Sequence, residues 1–200
     1  VASLWFRISR RGFYSLKGDV PSYTFGAIDK VQDILSGETN VFEYGSGGST
    51  LYYGRRAARV YAVEHDVQWA EILKSEVESQ GLGNVTVCLR EGTKSTDSEP
   101  KIASARSNYS GVDFEEYVME LAKLGEDNFD FVVVDGRVRS DCLRLAAQYV
   151  RSGGYIVLDN SERQRYFPTM DELTDFDRTD YAGLGPYGLA IWRTTIWRKH

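Results

Sequence analysis

The chain has 200 residues, a formal net charge of −5, and 42% apolar and 26% charged residues. That length suits one well-buried domain of ordinary globular composition. The acidic balance disfavours a sequence-independent nucleic-acid binder, which carries a basic face. No apolar run approaches the roughly 18 residues of a membrane span.

In chain order, residues 1–23 mix aromatic, basic and glycine residues without a clean period. They read as an irregular arm covering a ligand, and residues 24–200 as the domain proper. From Thr24 to Leu35 the apolar residues recur at helical spacing, and Gly37 marks a stop. Strand-like and helix-like stretches then alternate. Strands are expected at Val41–Tyr44, Arg59–Val63, Val85–Leu89, Phe129–Val134 and Tyr155–Leu158. Helices are expected at Thr50–Ala58, Val67–Gln80, Phe114–Leu124 and Cys142–Val150. Residues 93–110 form the one long polar loop, of the kind that serves as a lid or an excursion. Phe129–Val134 is apolar throughout, as a central parallel strand covered on both faces should be. Residues 176–182 and 189–198 are strand-like around a turn-rich "GLGPYG" and read as a hairpin. The only cysteines, Cys88 and Cys142, lie in apolar stretches. They form no disulfide framework, which fits a reduced, cytoplasmic compartment.

Repeated strand–helix units imply an α/β fold with right-handed crossovers. The expected architecture is a Rossmann-like three-layer sandwich, with a mostly parallel seven-stranded sheet and an antiparallel strand in the C-terminal hairpin. Ligands bind such sheets at the carboxyl ends of the strands, near the switch in strand order. Five consecutive strand ends carry an acid: Glu43, Glu64, Glu91, Asp135 and Asp159.

The turn "EYGSGGST" follows the first strand. A dinucleotide turn has three glycines, the third letting helix and strand pack closely. Here Gly45 and Gly47 are followed by Thr50 where that third glycine would stand, and Glu43 precedes them. A carboxylate there repels a pyrophosphate but suits a cationic amino group, as in the methionine portion of S-adenosylmethionine. Glu64 is placed to accept hydrogen bonds from ribose hydroxyls, which fits NAD equally well.

With these residues the chain resembles the class I S-adenosylmethionine-dependent methyltransferases, over roughly residues 24–198. "EYGSGGS" looks like their first motif, "VEHD" like their second-strand acid and "LREG" like the third-strand end beside adenine. The resemblance implies that Glu43, Gly45, Ser46 and Gly47 surround the methionine end and that Glu64 binds ribose. It also puts His65, Glu91 and Gly92 near adenine, and Asp135 nearest the reacting centre. Trp69 reads as core at its helical spacing, with stacking near adenine as the alternative.

"FDFVVVDGRVRSDC" and "GGYIVLDNSER" further resemble the metal-dependent O-methyltransferases of the catechol and caffeoyl-CoA type. That narrower likeness implies Mg2+ held by Asp135, Asp159 and Asn160, where the metal would lower the pKa of a substrate hydroxyl. Those families place a lysine three residues after the first Asp. Here the position is Val138, flanked by Arg137 and Arg139, and arginine stays protonated. Arg137, Arg139 and Arg163 are instead candidates for gripping an anionic or hydroxyl-rich acceptor, with Arg137 taken as catalytic beside Asp135. The reading is an in-line O-methylation of a small molecule or glycan, with no nucleic-acid partner and a homodimer among the expected assemblies. The alternatives are a nicotinamide-dependent oxidoreductase and a non-catalytic protein that keeps the cofactor-binding fold.

Overall fold

A computed structural model describes residues 20–94, 99–125 and 128–200. Most of the arm expected at residues 1–23 therefore lies outside the described residues. The chain runs α1 (Phe25–Ile34), β1 (Asn40–Tyr44), α2 (Gly48–Gly54), β2 (Arg59–Glu64), α3 (Val67–Ser79) and β3 (Val85–Leu89). Two short strands, β4 (Thr93–Lys94) and β5 (Val112–Asp113), follow, with α4 (Glu115–Val118) and α5 (Glu120–Lys123). The second half holds β6 (Phe129–Val134), α6 (Arg139–Tyr149), β7 (Val150–Asp159), α7 (Phe167–Asp171), β8 (Phe176–Gly185) and β9 (Gly188–Lys199).

Seven strands form one sheet in the order β3-β2-β1-β6-β7-β9-β8. The first five run parallel, and β9 lies antiparallel to both β7 and β8. The chain progresses outward from β1 through β2 to β3. It then returns to the other side of β1 with β6. The switch in strand order therefore falls between β1 and β6, where a crevice opens at the carboxyl ends.

β6 shows why its sequence is uniformly apolar. Phe129, Val132 and Val134 join the core on one face of the sheet, beneath α4, α5 and α6. Phe131 and Val133 join the core on the other face, with Ala27, Ile28 and Val31 of α1. Both faces are covered, so from Phe131 on, past the irregularity in pairing at Phe129, the period-two alternation distributes the side chains without any need for polar positions.

Some boundaries differ from those expected. The single helix expected at Phe114–Leu124 is two short helices meeting at Met119. The helix expected at Cys142–Val150 starts earlier, at Arg139, and Val150 already belongs to β7. The polar loop after β3 is partly tied by the β4–β5 ribbon, and Asp113 accepts hydrogen bonds from the backbone N–H groups of Lys101 and Ile102. Both cysteines are free. Among the described residues no helix is long and apolar enough to cross a membrane.

Candidate active site at the strand switch

The turns after β1 and β6 meet at the crevice through two glycines. Gly45 has φ +86°, in the left-handed region, and a Cβ on it would stand 2.5 Å from the Gly136 Cα. A Cβ on Gly136 would stand 2.9 Å from the Gly45 nitrogen and 2.0 Å from the Tyr117 hydroxyl. Only glycine permits such an approach of two backbones. Above this contact lies an open cavity of about 630 Å³, within the size range of small-molecule sites.

Glu64, at the end of β2, faces this cavity. Its Oε2 accepts from the Ser46 N–H at 3.0 Å and the Ser46 hydroxyl at 2.9 Å. Its Oε1 accepts from the backbone N–H groups of His65 at 2.7 Å and Asp66 at 3.0 Å. Burial pushes this carboxyl up, but the His65 side chain and the N–H groups of Ser46 and Asp66 outweigh it and hold it at about 2. Glu64 is therefore an anion at neutral pH that ties the β1 turn to the β2 end. His65 Nδ1 lies 2.6 Å from Glu64 Oε1, at ion-pair distance but without hydrogen-bond alignment. Its Nε2 accepts from Arg137 Nε at 3.1 Å and lies 2.9 Å from the Tyr109 hydroxyl.

Glu43 sits elsewhere than expected. It is fully buried behind the turn and does not line the cavity. The Ser49 and Thr50 hydroxyls each donate to it at 2.5 Å, and Thr50 Oγ1 accepts from the Gly47 N–H. Burial raises its carboxyl to about 8, against the pull of those two hydroxyls. It is thus mostly neutral at pH 7 and braces the turn, which corrects its assignment as the partner of a cationic amino group. Glu91 is exposed, and neither it nor Gly92 lines the cavity; a Cβ on Gly92 would run into Val112 and Phe114. Gly45, Ser46, Gly47, Glu64, His65, Asp135 and Arg137 do come together in the lining.

No protein-family model matches the chain, and no curated protein matches its sequence. Solved structures do match in shape. An O-methyltransferase from Bacillus cereus in complex with SAH superposes at a TM-score of 0.65 and 16% identity, covering 99% of this chain and 91% of that one. An rRNA methylase from Streptococcus thermophilus gives a TM-score of 0.60 at 12% identity, over 86% and 92% of the two chains. A methyltransferase-like protein from Silicibacter pomeroyi gives 0.59 at 19% identity, over 86% and 84%. The fold is that of the class I methyltransferases. At these identities the likeness is one of fold, and the chemistry rests on the residues.

In that fold frame, Trp69 lines the cavity and is not core as its helical spacing suggested, and three further lining residues come from places without a sequence signal. Trp69, on α3, reaches the cavity and donates its indole N–H to the Ser46 carbonyl at 2.7 Å. Tyr109 and Arg106 arrive from the polar loop after β3, and Tyr187 from the β8–β9 turn. The Tyr187 hydroxyl donates to the Val20 carbonyl at 2.9 Å, so the hairpin tip fastens the chain segment that edges the cavity.

The side chains do not fit a divalent metal. Asp135 Oδ1 is 2.5 Å from Arg139 Nη2. Arg139 also donates to the carbonyls of Asp135, Gly136 and Asp159 at 2.7, 3.1 and 2.5 Å. Asp159 is 4% exposed and turns toward β9, where its Oδ1 accepts from Thr194 at 2.7 Å and Trp192 at 3.1 Å. Burial, then the charge of Asp135, raises its carboxyl well above the usual range. Asn160 Oδ1 accepts from Arg163. The three expected ligands are committed to three different partners, and among the described residues no His, Cys, Asp or Glu cluster could hold a metal. The buried Arg139 guanidinium already supplies the cation between β6 and β7. The assignment of Mg2+ to Asp135, Asp159 and Asn160 is corrected on this ground.

Two consequences are measurable. Titration with magnesium chloride should show no saturable binding, and a millimolar site that vanished in Asp135→Asn would contradict the arginine assignment. Arg139→Ala should destabilise the fold by about 3–5 kcal/mol in denaturant unfolding, since it leaves Asp135 and three carbonyls without their partner.

Proposed function

We propose that the protein is an S-adenosylmethionine-dependent methyltransferase acting on an oxygen of a small molecule or glycan, with residues 24–200 as the methyltransferase domain. The observation that carries this reading is the pairing of Glu64, ionised at neutral pH and held by four donors, with a glycine turn at the strand switch. The cavity fits a nucleoside with a short charged tail. It offers a carboxylate for a ribose diol, backbone without side chains at Gly45, Gly47 and Gly48, and an aromatic wall at Trp69. S-adenosylmethionine bound there would supply an electrophilic methyl group on a sulfonium.

The chain's own groups would then do the following. Glu64 accepts hydrogen bonds from the ribose hydroxyls, with the Ser46 hydroxyl turning away to make room. Trp69 holds the Ser46 carbonyl, which fixes the turn. Asp135 presents negative charge beside the reacting centre, and Arg139 holds it in place. Catalysis comes chiefly from alignment, which can contribute about 7–11 kcal/mol when reacting groups are held in line. His65, whose Nε2 accepts from Arg137, and the carboxylates of Asp66 and Asp135 are among the groups at the cavity able to take a proton. The missing lysine at Val138 is then no defect, because a hydroxyl can lose its proton to such a group as the methyl transfers.

Calorimetry with S-adenosylhomocysteine and with NAD tests this reading. Saturable binding of the former and none of the latter is expected. Binding of NAD alone would transfer the protein to the oxidoreductases.

A further inference from the structure

A second cavity, of about 210 Å³, adjoins the first. The two share Arg106, Gly136, Arg137 and Arg139 in their linings. The smaller one adds Arg163 and Arg165, so five guanidinium groups stand around a space too small for a whole nucleotide. Among the described residues, carboxylates do not balance them, and only Arg139 is closely paired, to Asp135. Arg163 is 3.8 Å from Glu162 and donates to Asn160. Arg165 donates to the Tyr166 hydroxyl, and Arg137 to His65. Among the described residues, Arg106, Arg137 and Arg165 form no ion pair with any carboxylate. Asp141 is the single carboxylate in this lining, and it lies 3.5 Å from Arg144.

Such a cluster works against itself. Arg106 is pulled below the ordinary arginine value first by the charge of Arg137, with burial, Arg163, Arg139 and Arg165 adding in the same sense. The backbone between the arginines is strained as well. Val138 has φ +42°, a region a β-branched residue rarely enters and which costs about 1–3 kcal/mol. That kink lets Arg137 reach His65 while Arg139, two residues on, reaches back to Asp135 and Asp159. A protein that keeps several uncompensated cations and a strained residue around one small space is organised for an anion.

We infer that the smaller cavity binds a doubly charged oxyanion group of the methyl acceptor, a phosphate monoester, and so places the acceptor's hydroxyl across Gly136 from the methyl donor. The inference rests on the methyltransferase reading for its geometry, but the anion site itself does not. One carboxylate would leave much of the positive charge unmatched, whereas a tetrahedral dianion accepts several guanidinium hydrogen bonds at once. An RNA backbone is the poorer fit: the space holds one group, and the chain as a whole is acidic at −5.

The test is calorimetric titration of the full chain with inorganic phosphate at constant ionic strength, balanced with sodium chloride. Saturable binding is expected. It should weaken at least about tenfold in Arg163→Gln/Arg165→Gln, as the loss of charge-assisted hydrogen bonds requires. The affinity of the same variant for S-adenosylhomocysteine should stay within about twofold, since neither residue lines the larger cavity. Arg165→Gln alone keeps the Arg163 contact to Asn160 and guards against a folding defect. Absence of saturable phosphate binding, or equal binding by the double variant, would overturn the inference. So would an RNA oligonucleotide that binds with a steep salt dependence while phosphate does not saturate. Phosphate binding without S-adenosylhomocysteine binding would sink the methyltransferase reading and leave the anion site standing.

Discussion

Replacing Glu64 with glutamine should weaken S-adenosylhomocysteine binding by about 10- to 100-fold, the range expected for lost hydrogen bonds to a charged group. Four protein donors already converge on this carboxylate. A glutamine keeps one oxygen and turns an amide N–H2 toward donors that need an acceptor. The turn after β1 and the loop after β2 would both lose their anchor, so the effect reaches beyond a single ligand contact. Stability should report it too. The Glu64 carboxyl is held at about 2 against an ordinary value near 4.5. A depressed acid contributes stability that is fully present above pH 4.5 and is lost as pH falls toward 2. The shift corresponds to about 3 kcal/mol at neutral pH, at 1.36 kcal/mol per unit. Denaturant unfolding between pH 2 and 6 should therefore show a steeper acid limb for the natural chain than for Glu64→Gln. Matching limbs, together with unchanged S-adenosylhomocysteine affinity, would remove Glu64 from the site.

Gly45→Ala should be strongly destabilising. The added methyl would meet backbone atoms of Gly136 at 2.5 and 2.7 Å, and φ +86° is unfavourable for any L side chain. Backbone strain and overpacking each cost about 1–3 kcal/mol, so a combined loss of about 3–5 kcal/mol is expected. Neither loop can retreat cheaply. Gly45 N–H donates to the Val63 carbonyl at 2.9 Å and Asp135 N–H to the Tyr44 carbonyl at 3.0 Å, so both are still inside the sheet's hydrogen bonding. Gly37→Ala is the control. Nothing lies within 4 Å of its Cβ position and its φ is not in the left-handed range, so a change within about 0.5 kcal/mol is expected. Equal effects at the two glycines in urea melts would mean that the loops are not in contact.

The strand–helix order, the hairpin at the end and the glycine turn were legible because they depend on local pattern. An apolar run such as Phe129–Val134 or a periodic stretch such as Val67–Ser79 announces itself within a dozen residues. The acids at strand ends were legible too, but not their ranking. In sequence all five are equivalent. In the sheet, β1 and β6 flank the switch, β3 stands at the far edge, and β7 lies one strand beyond β6. Hence Glu91 and Gly92 miss the cavity, and Asp159 serves the packing of β9 instead. Glu43 was misread for a related reason. Its neighbours in the chain suggested an exposed turn, whereas the start of α2 folds Ser49 and Thr50 back over it.

Sequence alone thus determined the class of fold, the location of the ligand crevice at the strand ends, and the departure from both the dinucleotide turn and the lysine-bearing metal site. Tertiary structure decided which charges meet. That Arg139 stands between Asp135 and the Asp159 carbonyl in place of a metal depends on bringing the ends of β6 and β7 side by side. That Arg106 and Arg165, 59 residues apart in the chain, share one small cavity depends on how two irregular loops pack. Periodicity carries no information about such pairs, because hydrogen bonding and Coulomb forces act on distance in space and local pattern records only distance along the chain.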